Sequence, residues 1–188
     1  MAGKLRIIGG KWRSRLLPIV DLPGLRPTTD RVRETLFNWL QNDLPGAHCL
    51  DLFAGSGALG FEAASRGAAS VILLEKQKRA ADTLTANISA LKAQHIKLLQ
   101  CDALSWLNSK PSGRFDIVFI DPPFDSDYLA QIITLLENLP SLSESACIYL
   151  ETDSKQALPA LPDNWRVVRE KKAGQVRYYL VRRNFVAE

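Results

Sequence analysis

A glycine-rich stretch, Cys49 to Gly60, combines residue types that could bind a nucleotide-like ligand. It reads C-L-D-L-F-A-G-S-G-A-L-G, an apolar run followed by the spacing G-x-G-x-x-G and a helical pattern. This order predicts a buried strand, a tight turn and a helix whose first N–H groups are free for a ligand. Asp51 lies at the strand end, where NAD-binding folds usually carry an apolar residue. Its carboxylate favours a cationic ligand that bears an amino acid, such as S-adenosylmethionine.

Acidic residues also close three later strand patterns, at Glu75, Asp102 and Asp121. Ligands of doubly wound sheets bind at the carboxyl ends of the strands, and carboxylates that converge there repel one another unless a ligand uses them. For S-adenosylmethionine, Asp51 would face the methionine end and Glu75 the ribose hydroxyls. Asp102 would accept from the adenine amine, beside the backbone N–H of Ala103. The predicted cofactor-binding residues are Asp51, Phe53, Gly55, Ser56, Gly57, Glu75, Lys76, Asp102 and Ala103.

The motif Asp121-Pro122-Pro123-Phe124 follows a strand and could position a base for methylation. Two consecutive prolines fix a rigid, extended turn, which would aim the Asp121 carboxylate and the Pro122 carbonyl at one point. Both groups are acceptors, so together they could hold the two hydrogens of an exocyclic amine while Phe124 stacks on the base. We predict that all four residues form the catalytic site. The motif chemistry permits adenine N6, cytosine N4 or guanine N2.

The charge of the 188-residue chain is unevenly distributed. Residues 1–35 carry a net charge of +5, residues 36–164 carry −6 and residues 165–188 carry +5, within a total of +4. Two basic ends on a weakly acidic body indicate a polyanionic partner, with nucleic acid as the first choice. The predicted RNA-binding residues are Lys11, Arg13, Arg15, Arg26, Arg31 and Arg33.

The chain begins with a pattern typical of a basic β-hairpin. Lys4 to Ile8 alternates polar and apolar residues, Gly9-Gly10 is a turn signal, and Lys11 to Leu17 resumes the pattern. The alternation would place Lys11, Arg13 and Arg15 on one face. We therefore expect residues 1–27 to form a hairpin extension with a loop, and residues 28–188 to form the main domain.

Strand and helix patterns alternate from His48 onward. The predicted strands cover about 48–53, 70–74, 96–100, 115–120 and 146–151. Alternation of this kind predicts an α/β fold with a mostly parallel sheet and helices on both faces. Two further runs, 166–171 and 176–182, are separated by a turn too short for a helix, so they must pair as an antiparallel hairpin. The whole sheet would then have seven strands.

Composition excludes several classes of protein. No run of 18 apolar residues is present, and the start of the chain lacks the apolar region of a signal peptide. The three cysteines are far apart and lie in or beside strand patterns, which indicates reduced, buried thiols, and the two histidines show no metal-ligand spacing. We expect a cytoplasmic, monomeric protein that uses no metal and has no membrane partner.

The motifs together resemble a known family. D-L-F-A-G-S-G, L-L-E-K, C-D-A and D-P-P-F are similar to class I S-adenosylmethionine-dependent amino-methyltransferases, although many of these carry N-P-P-Y at the last motif. Asp in place of Asn keeps an acceptor and removes a donor. The opening, I-I-G-G-K-W-R-S-R with R-P-T-T-D-R-V-R-E-T-L-F-N-W-L, resembles the bacterial methyltransferases that modify guanine N2 at position 966 of 16S ribosomal RNA. The resemblance covers about Leu5 to Arg183.

This resemblance implies a Rossmann-like methyltransferase fold with a final antiparallel strand. It also implies a guanine substrate in 16S ribosomal RNA, presented on the small subunit or its assembly intermediate. Three alternatives stay open on the residues alone. A DNA or RNA adenine-N6 methyltransferase would share every catalytic residue, an NAD-linked oxidoreductase would use the glycines and Glu75, and a non-catalytic RNA-binding module would use the basic ends.

Overall fold

The structure is a computed structural model that describes residues 3–20, 28–122 and 128–184. Its five helices within these ranges are α1 (Asp30–Trp39), α2 (Ala58–Ser65), α3 (Lys78–Leu91), α4 (Ala103–Asn108) and α5 (Tyr128–Glu137). Its strands are β1 (Lys4–Arg6), β2 (Leu16–Pro18), β3 (His48–Asp51), β4 (Ser70–Leu74), β5 (Ile96–Leu99), β6 (Phe115–Ile120), β7 (Leu142–Asp153), β8 (Trp165–Ala173) and β9 (Val176–Arg183).

Seven strands form one sheet in the order β5-β4-β3-β6-β7-β9-β8. The strands from β5 to β7 are parallel, whereas β9 runs antiparallel to both β7 and β8. The predicted α/β fold, with a C-terminal antiparallel hairpin on a mostly parallel sheet, is confirmed. Chain order reverses beside β3, because β4 lies on one side of it and β6 on the other. A ligand crevice opens at the carboxyl ends of strands at such a reversal.

Helices cover both faces of the sheet and create two hydrophobic cores. One core contains Phe37 of α1, Phe61 of α2 and Leu84 of α3. The other contains Leu107 of α4 and Ile132 of α5. The strands between the cores are buried on both faces and read as near-continuous apolar runs, as expected for a parallel sheet.

Helix α1 begins directly after Thr29, a residue type that favours helix caps. The Thr29 side chain accepts a hydrogen bond of 3.4 Å from the backbone N–H of Val32, and so caps the helix. Val32, Leu36 and Phe37 are buried, so the apolar stripe of α1 faces the core.

The N-terminal hairpin differs from its prediction. Its strands are only three residues long, and a 3₁₀ turn at Gly10–Trp12 replaces the predicted start of the second strand. The prediction that Lys11, Arg13 and Arg15 share a strand face is therefore wrong, although all three side chains are exposed. The cause is tertiary, because the backbone at the tip of the loop bonds to α2, although Ile7 still pairs across the loop with Ser14 and Arg15.

Glu62 of α2 makes the main bonds to this loop. Its buried carboxylate accepts hydrogen bonds of 2.8 Å from the backbone N–H groups of Ile8 and Gly9. Ser65 adds two more, since its hydroxyl accepts from Trp12 N and donates to the Gly9 carbonyl. The hairpin is thus fixed to the main domain by specific polar contacts, and it also buries Leu5 in the same core.

Candidate active site

A cleft of about 960 Å³ opens at the carboxyl ends of the central strands. Its described lining comprises most of the predicted site residues, namely Asp51, Phe53, Gly55, Ser56, Glu75, Lys76, Asp102, Ala103, Asp121 and Pro122. Gly57 lies next to this lining, at the N-cap of α2. Pro123 and Phe124 lie outside the described residues.

Glu75 holds the glycine loop in place. One of its carboxylate oxygens accepts a hydrogen bond of 2.8 Å from the Gly55 N–H. The other accepts a hydrogen bond of 2.7 Å from the Gln77 N–H. The loop ends at Gly57, whose φ of +79° is left-handed, and a Cβ there would come within 2.4 Å of the Phe61 ring. Glycine is therefore required at this turn into α2. Because each carboxylate oxygen has two lone pairs, Glu75 can still accept from a ligand hydroxyl.

Asp51 is 2% exposed at the end of β3. Burial raises the pKa of its carboxyl to about 7, and the nearby charge of Glu75 acts in the same direction. The backbone N–H of Gly60 donates 3.2 Å to one Asp51 oxygen and partly offsets the burial. A carboxyl in this state would gain from a cationic ligand group in the cleft.

Asp102 and Lys76 lie at the outer rim of the cleft. One Asp102 oxygen accepts from the Ser105 N–H and caps α4, while the other lies 3.3 Å from the Lys76 ammonium. The Ser105 bond and the Lys76 bond lower the pKa of Asp102 despite some desolvation, so this carboxylate is ionised at neutral pH. Ala103 begins α4 directly beside it.

Asp121 meets a second carboxylate, from Glu151 of β7. The Thr28 hydroxyl lies between them, 3.4 Å from Asp121 Oδ2 and 3.5 Å from Glu151 Oε1. The Tyr149 hydroxyl donates 2.6 Å to the same Glu151 oxygen. Burial raises the pKa of both carboxyl groups, and their mutual repulsion raises that of Asp121 further. This pair therefore binds a proton more readily than exposed carboxylates do.

The described lining of the cleft is strongly acidic. It contains five carboxylates and one cation, Lys76, which is already paired with Asp102. A dinucleotide pyrophosphate would find no free cation among these side chains, whereas a sulfonium or an ammonium would be attracted. The electrostatics therefore favour a positively charged ligand.

Sequence reasoning missed several lining residues. Glu151 closes the fifth predicted strand, so the rule that selected Asp51 and Asp121 would also have found it. Other residues gave no sequence signal, because only the topology brings them to the cleft; these are Thr28, Tyr128 and the β8–β9 turn at residues 173–176. Tyr128 stacks on Phe53 with a ring separation of 6.5 Å.

The predicted RNA-binding residues do not all remain available. Arg31 is exposed on α1, whereas Arg26 lies outside the described residues. The assignment of Arg33 is wrong, because its side chain is 1% exposed. It donates to Asp30 and to the Arg6 carbonyl, and it lies 3.6 Å from the buried Glu62. Arg33 therefore neutralises an interior carboxylate and cannot reach a phosphate.

No group of metal-binding side chains occurs in the parts of the chain that the structure describes. Within the same ranges, no helix is long and apolar enough to cross a bilayer.

Comparisons with known proteins identify the relatives of this chain. The family model described as conserved hypothetical protein 95 matches residues 5–182. Ribosomal RNA small subunit methyltransferase D of Escherichia coli strain K12 is 49% identical over 187 residues, which cover 100% of this chain and 94% of that protein. The chain belongs to the ribosomal RNA small subunit methyltransferase D family. A Haemophilus influenzae family member is 45% identical and covers 95% of this chain and 93% of its own length.

A solved structure agrees with this family assignment. The E. coli protein yhhF, described as a candidate methyltransferase, superposes with a TM-score of 0.90 at 48% identity. The match covers 96% of this chain and 98% of that one. The fold is therefore shared over nearly the whole chain.

Proposed function

We propose that this chain transfers a methyl group from S-adenosylmethionine to the exocyclic N2 of guanine 966 in 16S ribosomal RNA. The observation that carries the proposal is that Asp121 and Pro122 line the same acidic cleft as the glycine loop. A methyl donor and an amine acceptor bound there would meet at one point. The name of the family supports ribosomal RNA as the substrate, and the resemblance of the opening motifs supports the guanine.

The cleft residues fit this methyl donor. S-adenosylmethionine supplies an electrophilic methyl group on a sulfonium, together with an amino-acid end, a ribose and an adenine. Asp51 and the glycine loop would take the amino-acid end, and the free lone pairs of Glu75 would take the ribose hydroxyls. Asp102 and the Ala103 N–H would read the adenine edge. The absence of an unpaired cation in the described lining suits a positively charged ligand.

Asp121 and Pro122 would orient the amine. Their acceptor oxygens would hold the two N2 hydrogens, which aims the nitrogen lone pair at the methyl carbon. The C–N bond forms as the C–S bond breaks, and N2 then loses one proton to a nearby carboxylate or to water. Most of the rate enhancement would come from positioning and from charge complementarity.

The target base must leave its stack to reach the cleft. We propose that exposed basic residues of the hairpin and α1, namely Lys11, Arg13, Arg15 and Arg31, grip the RNA backbone during this step. The partner would be the small subunit or its assembly intermediate, in the cytoplasm.

The direct test is transfer of labelled methyl from S-adenosylmethionine to small subunits that lack this modification. Naked 16S RNA and duplex DNA serve as parallel substrates, and nucleoside digestion identifies the product. We expect N2-methylguanosine from RNA, mapped to position 966. Label in adenine or in DNA would favour the adenine-N6 alternative. Cofactor binding without transfer to any of the three would contradict the proposal.

A further inference from the structure

The side-chain pair formed by Asp121 and Glu151 has no cationic partner among the described residues. Neither carboxylate forms an ion pair with a described residue, although the Glu151 side chain is only 4% exposed. A buried carboxylate beside a half-buried one is unfavourable unless donors satisfy both. The Thr28 and Tyr149 hydroxyls reach only one carboxylate oxygen of each residue, Oδ2 of Asp121 and Oε1 of Glu151. No further donor to this pair occurs among the described residues, so the remaining acceptor capacity could serve a ligand.

Strand register fixes the separation of the two carboxylates. Ile120 of β6 pairs with Leu150 of β7 in parallel, so the residues that follow them are neighbours at the carboxyl ends of adjacent strands. The Tyr149 hydroxyl is held among buried aromatic rings, since its ring contacts those of Phe119 and Tyr178. Glu151 therefore accepts its hydrogen bond from a donor that is itself fixed by packing. A residue that recognises a base must be held in this way.

A pair of carboxylates can distinguish guanine from adenine and cytosine by the hydrogen-bond donors that each base presents. On its Watson–Crick edge guanine presents two adjacent donors, the N1–H and an N2–H. Adenine presents a donor at N6 beside an acceptor at N1, and cytosine presents a donor at N4 beside an acceptor at N3. When both are ionised, two adjacent carboxylates therefore match guanine and repel the ring acceptor of the other two bases.

We propose that Glu151 is the residue that selects guanine, by accepting the N1–H of the target base while Asp121 accepts an N2–H. This inference rests on the proposed function, because it assumes that the target amine lies at Asp121. It adds a base-reading residue that the D-P-P-F motif does not contain. It also explains why a glutamate is buried beside the catalytic aspartate without a neutralising cation.

The test compares guanine with 2-aminopurine at the target position of small subunits reconstituted on splint-ligated 16S RNA. The analogue keeps the N2 amine but lacks both the N1 proton and the O6 oxygen, so the part of the preference that depends on Glu151 is read from a Glu151 variant. We expect wild-type protein to methylate guanine faster in single turnover by about 100-fold or more, because an analogue that leaves a buried polar group unpaired is strongly rejected.

The informative variant is Glu151→Gln, whose amide can present either an acceptor or a donor to N1. We expect the preference for guanine over 2-aminopurine to fall by about tenfold or more. Glu144→Gln, the same substitution at an exposed position of β7, is the matched control and should keep the wild-type ratio. An unchanged ratio in Glu151→Gln would overturn the inference even if overall activity fell.

A rival role for Glu151 is to neutralise the sulfonium of the methyl donor. The affinities of each variant for S-adenosylmethionine and for the uncharged S-adenosylhomocysteine separate the two roles. We expect Glu151→Gln to leave the ratio of these affinities within about threefold of wild type. A selective loss of S-adenosylmethionine binding would overturn the inference. Wild-type protein that methylates neither base at this position, while binding the cofactor, would instead show that the proposed function has failed.

Discussion

Glu75 accepts a hydrogen bond of 2.8 Å from the backbone N–H of Gly55, twenty residues earlier in the chain. The carboxylate at the end of β4 therefore shapes the glycine loop at the end of β3 before any ligand arrives. A residue that was predicted to bind the ribose hydroxyls thus has a structural role as well. Loss of this side chain would remove both its bond to the glycine loop and its bond to Gln77, at the proposed cofactor site.

Glu75→Gln should weaken S-adenosylmethionine binding by at least about tenfold, or about 1.4 kcal/mol. Both Glu75 oxygens accept backbone N–H groups, and an amide can accept only one of them while directing a donor at the other. Isothermal titration calorimetry measures the loss. Asp82→Asn, an exposed carboxylate of α3, is the control and should bind normally. Equal affinities in the two variants would remove the loop-shaping role.

Asp121→Ala should abolish methyl transfer while cofactor binding largely survives. Asp121 would contact the acceptor amine, whereas the proposed adenine and ribose contacts would come from other side chains. Single-turnover transfer and calorimetric binding separate the two effects. Asp102→Asn should behave in the opposite way, with weaker cofactor binding and retained transfer at saturation. A parallel loss of both properties in Asp121→Ala would contradict this division.

Asp51→Asn should make the cofactor-free protein more stable at pH 8 than wild type. Burial raises the pKa of Asp51 from 3.8 to about 7 in the folded state. Folding then retains a proton that the unfolded chain has released, so the contribution of Asp51 to stability is complete below about pH 4 and is lost as the pH rises through 7. The stability difference between variant and wild type should grow by up to about 1.4 kcal/mol per pH unit in that window.

Urea unfolding at pH 4.5, 6 and 8 checks this dependence, since the other carboxyl groups titrate in both proteins. The same variant should bind S-adenosylmethionine more weakly, because it loses a charge that faces the cleft. A stability difference that does not change with pH would contradict the raised pKa.

Gly10→Ala should destabilise the protein more than Gly46→Ala. Both glycines have positive φ angles, of +73° and +79°, which cost a side chain about 1–2 kcal/mol. A Cβ at Gly10 would also lie 1.9 Å from the Ser65 carbonyl oxygen, whereas one at Gly46 would meet nothing within 4 Å. Because the blocking atom is backbone, we expect about 1–3 kcal/mol of further loss at Gly10. Urea midpoints measure both, and equal values would show that the hairpin can move away from α2.

Replacement of Lys11, Arg13 and Arg15 by glutamate should weaken RNA binding and reduce its dependence on salt. For every phosphate that the protein no longer neutralises, the slope of log affinity against log salt concentration becomes shallower by about one unit. Filter binding at several salt concentrations gives this slope. Lys97→Glu on the edge strand β5 is the control outside the hairpin. An unchanged slope in the triple variant would assign these residues to a solvated surface.

Local patterns predicted most of the fold. The sheet followed from apolar runs alternating with helical periodicity, because the central strands are buried on both faces, and the final hairpin followed from a turn too short for a helix. The N-terminal turn could not be predicted in this way. Its Gly9-Gly10 signal is local, whereas the backbone there bonds to Glu62, more than fifty residues away.

The site residues were predictable where an acidic side chain stands at the carboxyl end of a predicted strand. Asp51, Glu75 and Asp102 obey that rule, and the sheet brings them to one cleft. Arg33 shows the opposite limit. A basic residue in the first turn of a helix looks available to RNA, yet its guanidinium is buried beside Asp30 and Glu62. Only the packing of α1 against α2 reveals that partner.

The position of β9 between β7 and β8 sets an order of events during synthesis. Until residues 176–183 leave the ribosome, the edge of β7 that faces away from β6 has no partner strand. β8 cannot join the sheet before then, because it pairs only with β9. The pairing of the strand that carries Tyr149 and Glu151 is therefore complete only after β9 has been made. A nascent chain stalled before β9 would expose an unpaired strand edge, which promotes aggregation. We therefore expect the cleft to be complete only after β9 has paired with β7.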